Sequence, residues 1–232
     1  MRIFVCPLAI GDVIVRGDEH HYLSRVRRAR AGDAVELVDG AGKRAAAVIA
    51  TIGEAETVMR VAAIEDIADL PPRVRVLVPP IKGDRMDTCI EKLVEVGADE
   101  IVVWPAARAV VRLEGARLAA RVEHYQALAQ AAARQSGRAS IPGVTAAASL
   151  AGAIGALPAG VRIVLDPAAE RAAWPAGGDV TLISGPEGGL APAEQDALAA
   201  AGFVGIGLGP RVLRAETAPV VAVSLVRAAT LS

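Results

Sequence analysis

The sequence predicts an α/β chain in two parts, and three observations carry that reading. Up to about Asp69, short runs of β-branched and apolar residues alternate with Gly and Asp turns, the spacing of a small antiparallel barrel or sandwich. The stretch "DLPPR" then sets two prolines where neither a helix nor a strand ladder continues, which marks a linker at residues 69–73. Beyond it the rhythm becomes strand, helix, strand, as in a mostly parallel sheet covered by helices. The expected domains are therefore residues 1–68 and 74–232.

In the first part, "RIFVC", "DVIVRG", "DAVELVDG", "RAAAVIATIG" and "ETVMRVAAI" each read as a strand. In the second, "VRVLVP" is a buried strand, "DRMDTCIEKLVEVG" a helix ending at Gly97, and "EIVVWPA" the next strand. A long helix follows over "LEGARLAARVEHYQALAQAAARQSG". "VRIVLD", "DVTLIS" and "VGIGLG" are compact strands, with the helix "APAEQDALAAAG" before the last. The final stretch, "ETAPVVAVSLVRAATLS", starts a helix with Pro219 in its first turn. It is apolar nearly all round, and such a helix needs burial on every side, which predicts a homodimer.

Composition narrows the function classes. The 232 residues are 53% hydrophobic with a formal net charge of −1, enough for real cores and far from a surface coated in basic residues. Any nucleic-acid contact must come from a local patch. No apolar run approaches the roughly 18 residues of a membrane span, and the N-terminus lacks a signal-peptide core, so a cytoplasmic protein is expected. Cys6 and Cys89 stand in apolar surroundings and read as buried small hydrophobes rather than a disulfide or thiolate site. His20, His21 and His124 belong to no metal-ligand spacing, so no metal is expected.

Two stretches carry the chemistry. "ISGPEGGLAPAEQ", residues 183–195, is a glycine-rich turn between a strand and a helix, where backbone closely approaches something. It lacks the lysine and hydroxyl of a P-loop, its glycines are not in the dinucleotide order, and it lies late in the chain. Taken alone, it also suits a plain turn needing glycine. "LGPRVLRAETA", residues 208–218, repeats the arrangement with Arg211, Arg214 and Glu216 before a helix. Two such loops at strand ends are where an α/β sheet collects a ligand; the three charged side chains meet either that ligand or one another.

With these motifs in hand, the chain resembles the knotted SPOUT methyltransferases, and among them the RsmE family, which methylates N3 of a uridine near the 3′ end of 16S ribosomal RNA. Three further stretches resemble that family: "HYLSRVRRARAGD", "KGDRMDTCIEKLVEVGADEI" and "AARQSGRASIPGV". The resemblance implies a C-terminal SPOUT domain with a deep trefoil knot behind an N-terminal PUA-like β-barrel. It implies S-adenosylmethionine held in a bent conformation by Leu165, Gly185, Pro186, Gly188, Gly189, Leu208, Gly209, Val212 and Leu213. The implied partner is 16S rRNA within the assembled small subunit; another RNA is the alternative substrate.

The chain departs from the family pattern at Arg27, usually leucine, and at Arg134, where a glutamate often precedes Gln135. Arg27 enlarges the cluster Arg25, Arg27, Arg28 and Arg30. With His21, Lys43 and Tyr22 nearby in sequence, that cluster is an expected phosphate-contacting surface with one aromatic for stacking. Lys82 and Arg85 are placed in the same RNA-contacting set.

Methyl transfer to a ring nitrogen needs alignment of donor and acceptor. The N3 proton must also leave, which calls for a base or for cations that stabilise charge on the uracil oxygens. Arg214 is the candidate for the electrostatic role, with Glu187 or Glu216 as base or orienting partner. The target lies on the Watson-Crick edge, so the uridine must be unpaired or swung out. Two other classes compete. A nucleotide-dependent small-molecule enzyme calls for a lysine or metal-binding acid at the loop, where the sequence offers Glu187 and Glu194 but no lysine. A non-catalytic RNA-binding protein calls for decayed glycine loops, and these are intact.

Overall fold

The computed structural model describes residues 1–67, 71–170, 173–175 and 177–230. Ala68, Asp69 and Leu70, the end of the expected first domain and the start of its linker, lie outside the described residues, as do the last two residues of the expected C-terminal helix. The chain divides into two compact units, Met1–Asp69 with Ala133–Ile141, and Leu70–Ala132 with Pro142–Ser232.

The first unit is a six-stranded sheet of β1 (Arg2–Phe4), β2 (Gly11–Arg16), β3 (Ala34–Val38), β4 (Lys43–Ile52), β5 (Glu56–Val61) and β6 (Glu65–Asp66), in the order β1-β3-β4-β5-β2 with β6 on β4. Alternation explains the strands: Ala45, Ala47 and Ile49 of β4 face the core, while Arg44, Ala46 and Val48 face out. The expectation of a purely antiparallel sheet needs one correction, because β1 runs parallel to β3. Between them lie β2, a short helix α1 (Gly17–His21) and a π-turn over Tyr22–Val26, a connection long enough for a parallel return. The π-turn was missed in the sequence. It drives Leu23 into the core beside Ile3, Leu37 and Met59. Cys6 is a second correction: it lies in a bend past the end of β1 and is exposed, whereas Cys89 is buried.

The second unit is an all-parallel sheet of β7 (Val74–Val78), β8 (Glu100–Val103), β9 (Gly143–Ala146), β10 (Val161–Leu165), β11 (Val180–Ile183) and β12 (Val204–Ile206), in the order β12-β10-β11-β7-β8-β9. The run Val180–Ile183, apolar but for Thr181 and buried at every residue, is what a sheet covered on both faces requires. Helix α2 (Asp84–Glu95) buries Met86, Cys89, Ile90, Leu93 and Val94, one stripe at helical spacing. Its last carbonyls are satisfied by the Gly97 and Ala98 N–H groups, and Gly97 takes a φ of 103° that a side chain would resist. Helices α3 (Gly115–Ser136), α4 (Leu150–Gly155), α5 (Pro192–Ala200) and α6 (Ala218–Ala229) complete the elements among the described residues. Strand β9 and helix α4 were not expected, being too short and alanine-rich to show periodicity.

Helix α6 packs against α2, β7, β10 and β11. It buries Pro219, Ala222, Val223 and Val226 and leaves Val220, Val221 and Leu225 half-buried. Much of its apolar surface is therefore satisfied within its own unit.

Candidate functional site

The order of the second sheet sets the position of the site. β11 lies on one side of β10, and the chain then crosses back to place β12 on the other. Connections that leave a parallel sheet in opposite directions open a crevice at the carboxyl ends of the strands. Here a pocket of about 640 Å³ opens, lined by the ends of β10, β11 and β12 and the loops that follow them. That is the size of a drug-like or nucleoside-sized ligand.

The loop after β11 runs from Ser184 to Leu190. Its turn is closed by the Gly189 N–H donating to the Pro186 carbonyl at 2.9 Å, with Gly189 at a φ of 70°. Gly188 is needed for clearance instead: a Cβ there would meet the Arg108 Cβ at 3.2 Å and its carbonyl at 3.3 Å. Arg108, in the segment after β8, donates through Nη1 to the carbonyls of Gly188 and Leu190 at 3.3 and 3.2 Å. Glu194 completes the attachment. Its buried carboxylate accepts from the Ala107 N–H and from the Ala191 N–H, both at 2.7 Å. The Glu194 carboxylate is thus taken up by backbone at the start of α5.

The second loop follows β12. The Gly207 N–H donates to the Glu170 carbonyl at 3.0 Å, and Gly209 adopts a φ of 134°. The Arg214 carbonyl then accepts from the N–H groups of Thr217 and Ala218 at 2.9 and 3.0 Å, which starts α6.

Of the cofactor residues expected from sequence, Leu165, Gly185, Pro186, Gly189, Leu208, Gly209, Val212 and Leu213 line this pocket, and Gly188 stands just behind the wall, against Arg108. Sequence reasoning missed Arg108, Asp166 and Gln195, which also line it. Asp166 carried a signal, a carboxylate at the end of the strand "VRIVLD". Arg108 carried none, since its loop has no motif of its own.

The three residues expected to be catalytic are close together but not equivalent. Glu187 lines the pocket, while Arg214 and Glu216 lie outside its lining. Arg214 is largely exposed and stands 3.9 Å from Glu216; the Glu216 side chain is mostly buried. Arg85, half-buried, also joins this group, at 3.4 Å from Glu187 and 3.8 Å from Glu216. Burial, with a smaller contribution from the Glu216 charge, pushes the Cys89 thiol up to about 12.

The remaining expected RNA-contacting residues are exposed: His21, Arg25, Arg27, Arg28, Arg30 and Lys43 in the first unit, and Lys82 in the second. Arg28 holds a φ of 50°, unusual for a side-chain-bearing residue, just past the π-turn. Lys43 has an ion-pair partner, Asp66, at 3.5 Å. His20 is a core histidine, with ring nitrogens 2.9 Å from the Thr57 hydroxyl and 3.1 Å from the Glu54 carbonyl. Arg134, the departure from the common pattern, pairs with Glu19 and lies over the Phe4 and Tyr22 rings. Among the described residues no helix is long and apolar enough to cross a membrane, and no group of three or more metal-ligating side chains is gathered.

Residues 68–227 match the family model of an RNA methyltransferase domain, and residues 15–56 that of an RNA methyltransferase PUA domain. The ribosomal RNA small subunit methyltransferase E of Mycobacterium tuberculosis is 37% identical over 222 residues, covering 92% of this chain and 85% of that protein. Among solved structures, a methyltransferase from Legionella pneumophila in complex with the bound cofactor SAM superposes with a TM-score of 0.86 at 26% identity, covering 98% of this chain and 97% of that one. The ribosomal RNA small subunit methyltransferase E from Neisseria gonorrhoeae bound to S-adenosyl methionine gives 0.80 at 28% identity, covering 96% and 95%.

Proposed function

The chain belongs to the RsmE family of RNA methyltransferases, and on that premise we propose that it methylates N3 of one uridine near the 3′ end of 16S rRNA within the assembled small subunit. It is an S-adenosylmethionine-dependent ribosomal RNA methyltransferase, with a SPOUT domain behind a PUA-like domain. The observation that carries the reading is the pocket at the ends of β10, β11 and β12. It offers glycine backbone, the apolar walls of Leu208, Val212 and Leu213, and charges of both signs, Asp166 and Glu187 with Arg108 and Arg211. That lining suits a nucleoside bearing charges of both signs, as S-adenosylmethionine does.

When bound, S-adenosylmethionine supplies an electrophilic methyl group on a sulfonium. The chain's own task is to hold the acceptor in line and to manage the N3 proton. Glu187, which lines the pocket, would accept that proton. The more buried Glu216 orients the guanidinium of Arg214, which would stabilise charge on the uracil oxygens. His21, the arginine cluster Arg25, Arg27, Arg28 and Arg30, Lys43 and Lys82 would contact RNA phosphates. Two copies of the chain would form a homodimer through the half-buried Val220, Val221 and Leu225 of α6, and the protein would work in the cytoplasm. The trefoil knot that the resemblance implies would involve the loops after β11 and β12.

Thermal stabilisation by S-adenosylmethionine, with none from ATP or NAD, tests the cofactor reading. Transfer of labelled methyl to small subunits lacking their own modifications tests the substrate. N3-methyluridine at a single site is the expected product; cofactor binding without subunit methylation would assign the enzyme to a different RNA.

A further inference from the structure

Arg85 lies in the first turn of α2, half-buried, and its two terminal nitrogens face different partners. Nη2 is 3.4 Å from Glu187 Oε1, in the loop after β11, and Nη1 is 3.8 Å from Glu216 Oε2, in the segment after β12. We propose that Arg85 is a positioning residue that ties these two loops together and so sets the affinity of the site for S-adenosylmethionine. This rests on the methyltransferase reading and deepens it: the cation on α2 serves the cofactor site rather than RNA.

Charge and geometry agree on this role. Glu216 Oε2 is enclosed without a hydrogen-bond partner, a costly state for a carboxylate unless a cation is close. Arg214, its other cationic neighbour, is mostly exposed and screened by solvent. The group on α2 beside it besides Arg85 is the Cys89 thiol, which stays neutral. Arg85 is therefore the cation best able to balance Glu216 while also holding Glu187. A guanidinium addresses two carboxylates at once through separate nitrogens, which a lysine point charge does poorly. Both loops line the pocket, so any loosening of one against the other is felt by the ligand.

The test is calorimetric titration of S-adenosylmethionine into the full chain, without RNA, for the parent, Arg85→Gln and Arg85→Lys. RNA affinity is measured alongside at several salt concentrations. Arg85→Gln should weaken cofactor binding about tenfold and Arg85→Lys by less, with RNA affinity and its salt slope unchanged. Cofactor affinity within twofold of the parent overturns the proposal. A salt slope lowered by about one with cofactor affinity intact makes Arg85 a phosphate contact instead. A parent chain that binds no S-adenosylmethionine removes the methyltransferase reading itself. If Arg85→Gln fails to fold, Arg85→Gln/Glu216→Gln relieves the unbalanced carboxylate. That double variant should still bind more weakly than Glu216→Gln alone, through loss of the Glu187 contact, and equal affinity overturns the proposal.

Discussion

Two side chains show how position, rather than type, decides behaviour. Cys6 and Cys89 look alike in sequence, yet one is exposed in a bend and the other is buried beside Glu216. A thiol held up to about 12 remains protonated at any pH where alkylation is practical, and the thiolate is the reactive form. In the native protein one thiol should react rapidly with iodoacetamide at pH 8, and the second only as fast as the chain unfolds. Mass spectrometry should place the first label on Cys6. Glu194 likewise reads in sequence as an available acid, but both its oxygens accept from backbone N–H groups. Glu194→Gln would turn an amide donor towards one of those N–H groups. It should cost about 2 kcal/mol in urea unfolding and weaken cofactor binding, since the loop holding Gly188 loses its attachment.

At the scale of elements, the strands and long helices were legible because their burial is periodic or complete. β4 alternates, β11 is buried throughout, and α2 shows a five-residue apolar stripe. The π-turn at Tyr22–Val26 was not legible, because its hydrogen bonding depends on Leu23 reaching a core formed by distant strands. The parallel β1–β3 pairing escaped for a similar reason, since strand direction is a tertiary property. The cofactor loops stood out through their glycines, whereas the arginines that position them did not. How α6 is anchored was also invisible. Arg227 Nη2 donates to the Gly97 carbonyl and to Asp99, both at 2.6 Å, and Nη1 donates to the Pro72 carbonyl at 2.7 Å. Arg227→Ala would take the cation from the nearly inaccessible Asp99 carboxylate, which also accepts from the Val74 N–H, and the expected loss is about 3–5 kcal/mol in urea unfolding. A change below 1 kcal/mol would show that α6 is held by its apolar face alone.

At the scale of the molecule, a near-neutral chain must concentrate its affinity for RNA in one place. Arg25, Arg27, Arg28 and Arg30 are all exposed within six residues. Replacing the four with alanine should reduce the slope of log affinity against log salt by about three, at roughly 0.7 to 0.9 per phosphate contact, and leave S-adenosylmethionine affinity as it was. An unchanged slope would place the RNA surface elsewhere.

The sheet order has a consequence for how the protein is made. β7 pairs on one side with β8, which follows soon after it, but on the other side with β11, which reaches the ribosome exit only after every residue from Val78 to Val180. At roughly 5–20 residues per second, the β7 edge stays open during synthesis for on the order of ten seconds. An uncovered apolar strand edge is a template for pairing with another chain. The nascent protein should therefore depend on chaperones during that interval, and slowing translation between β8 and β11 should lower the soluble yield even though the finished fold is unchanged.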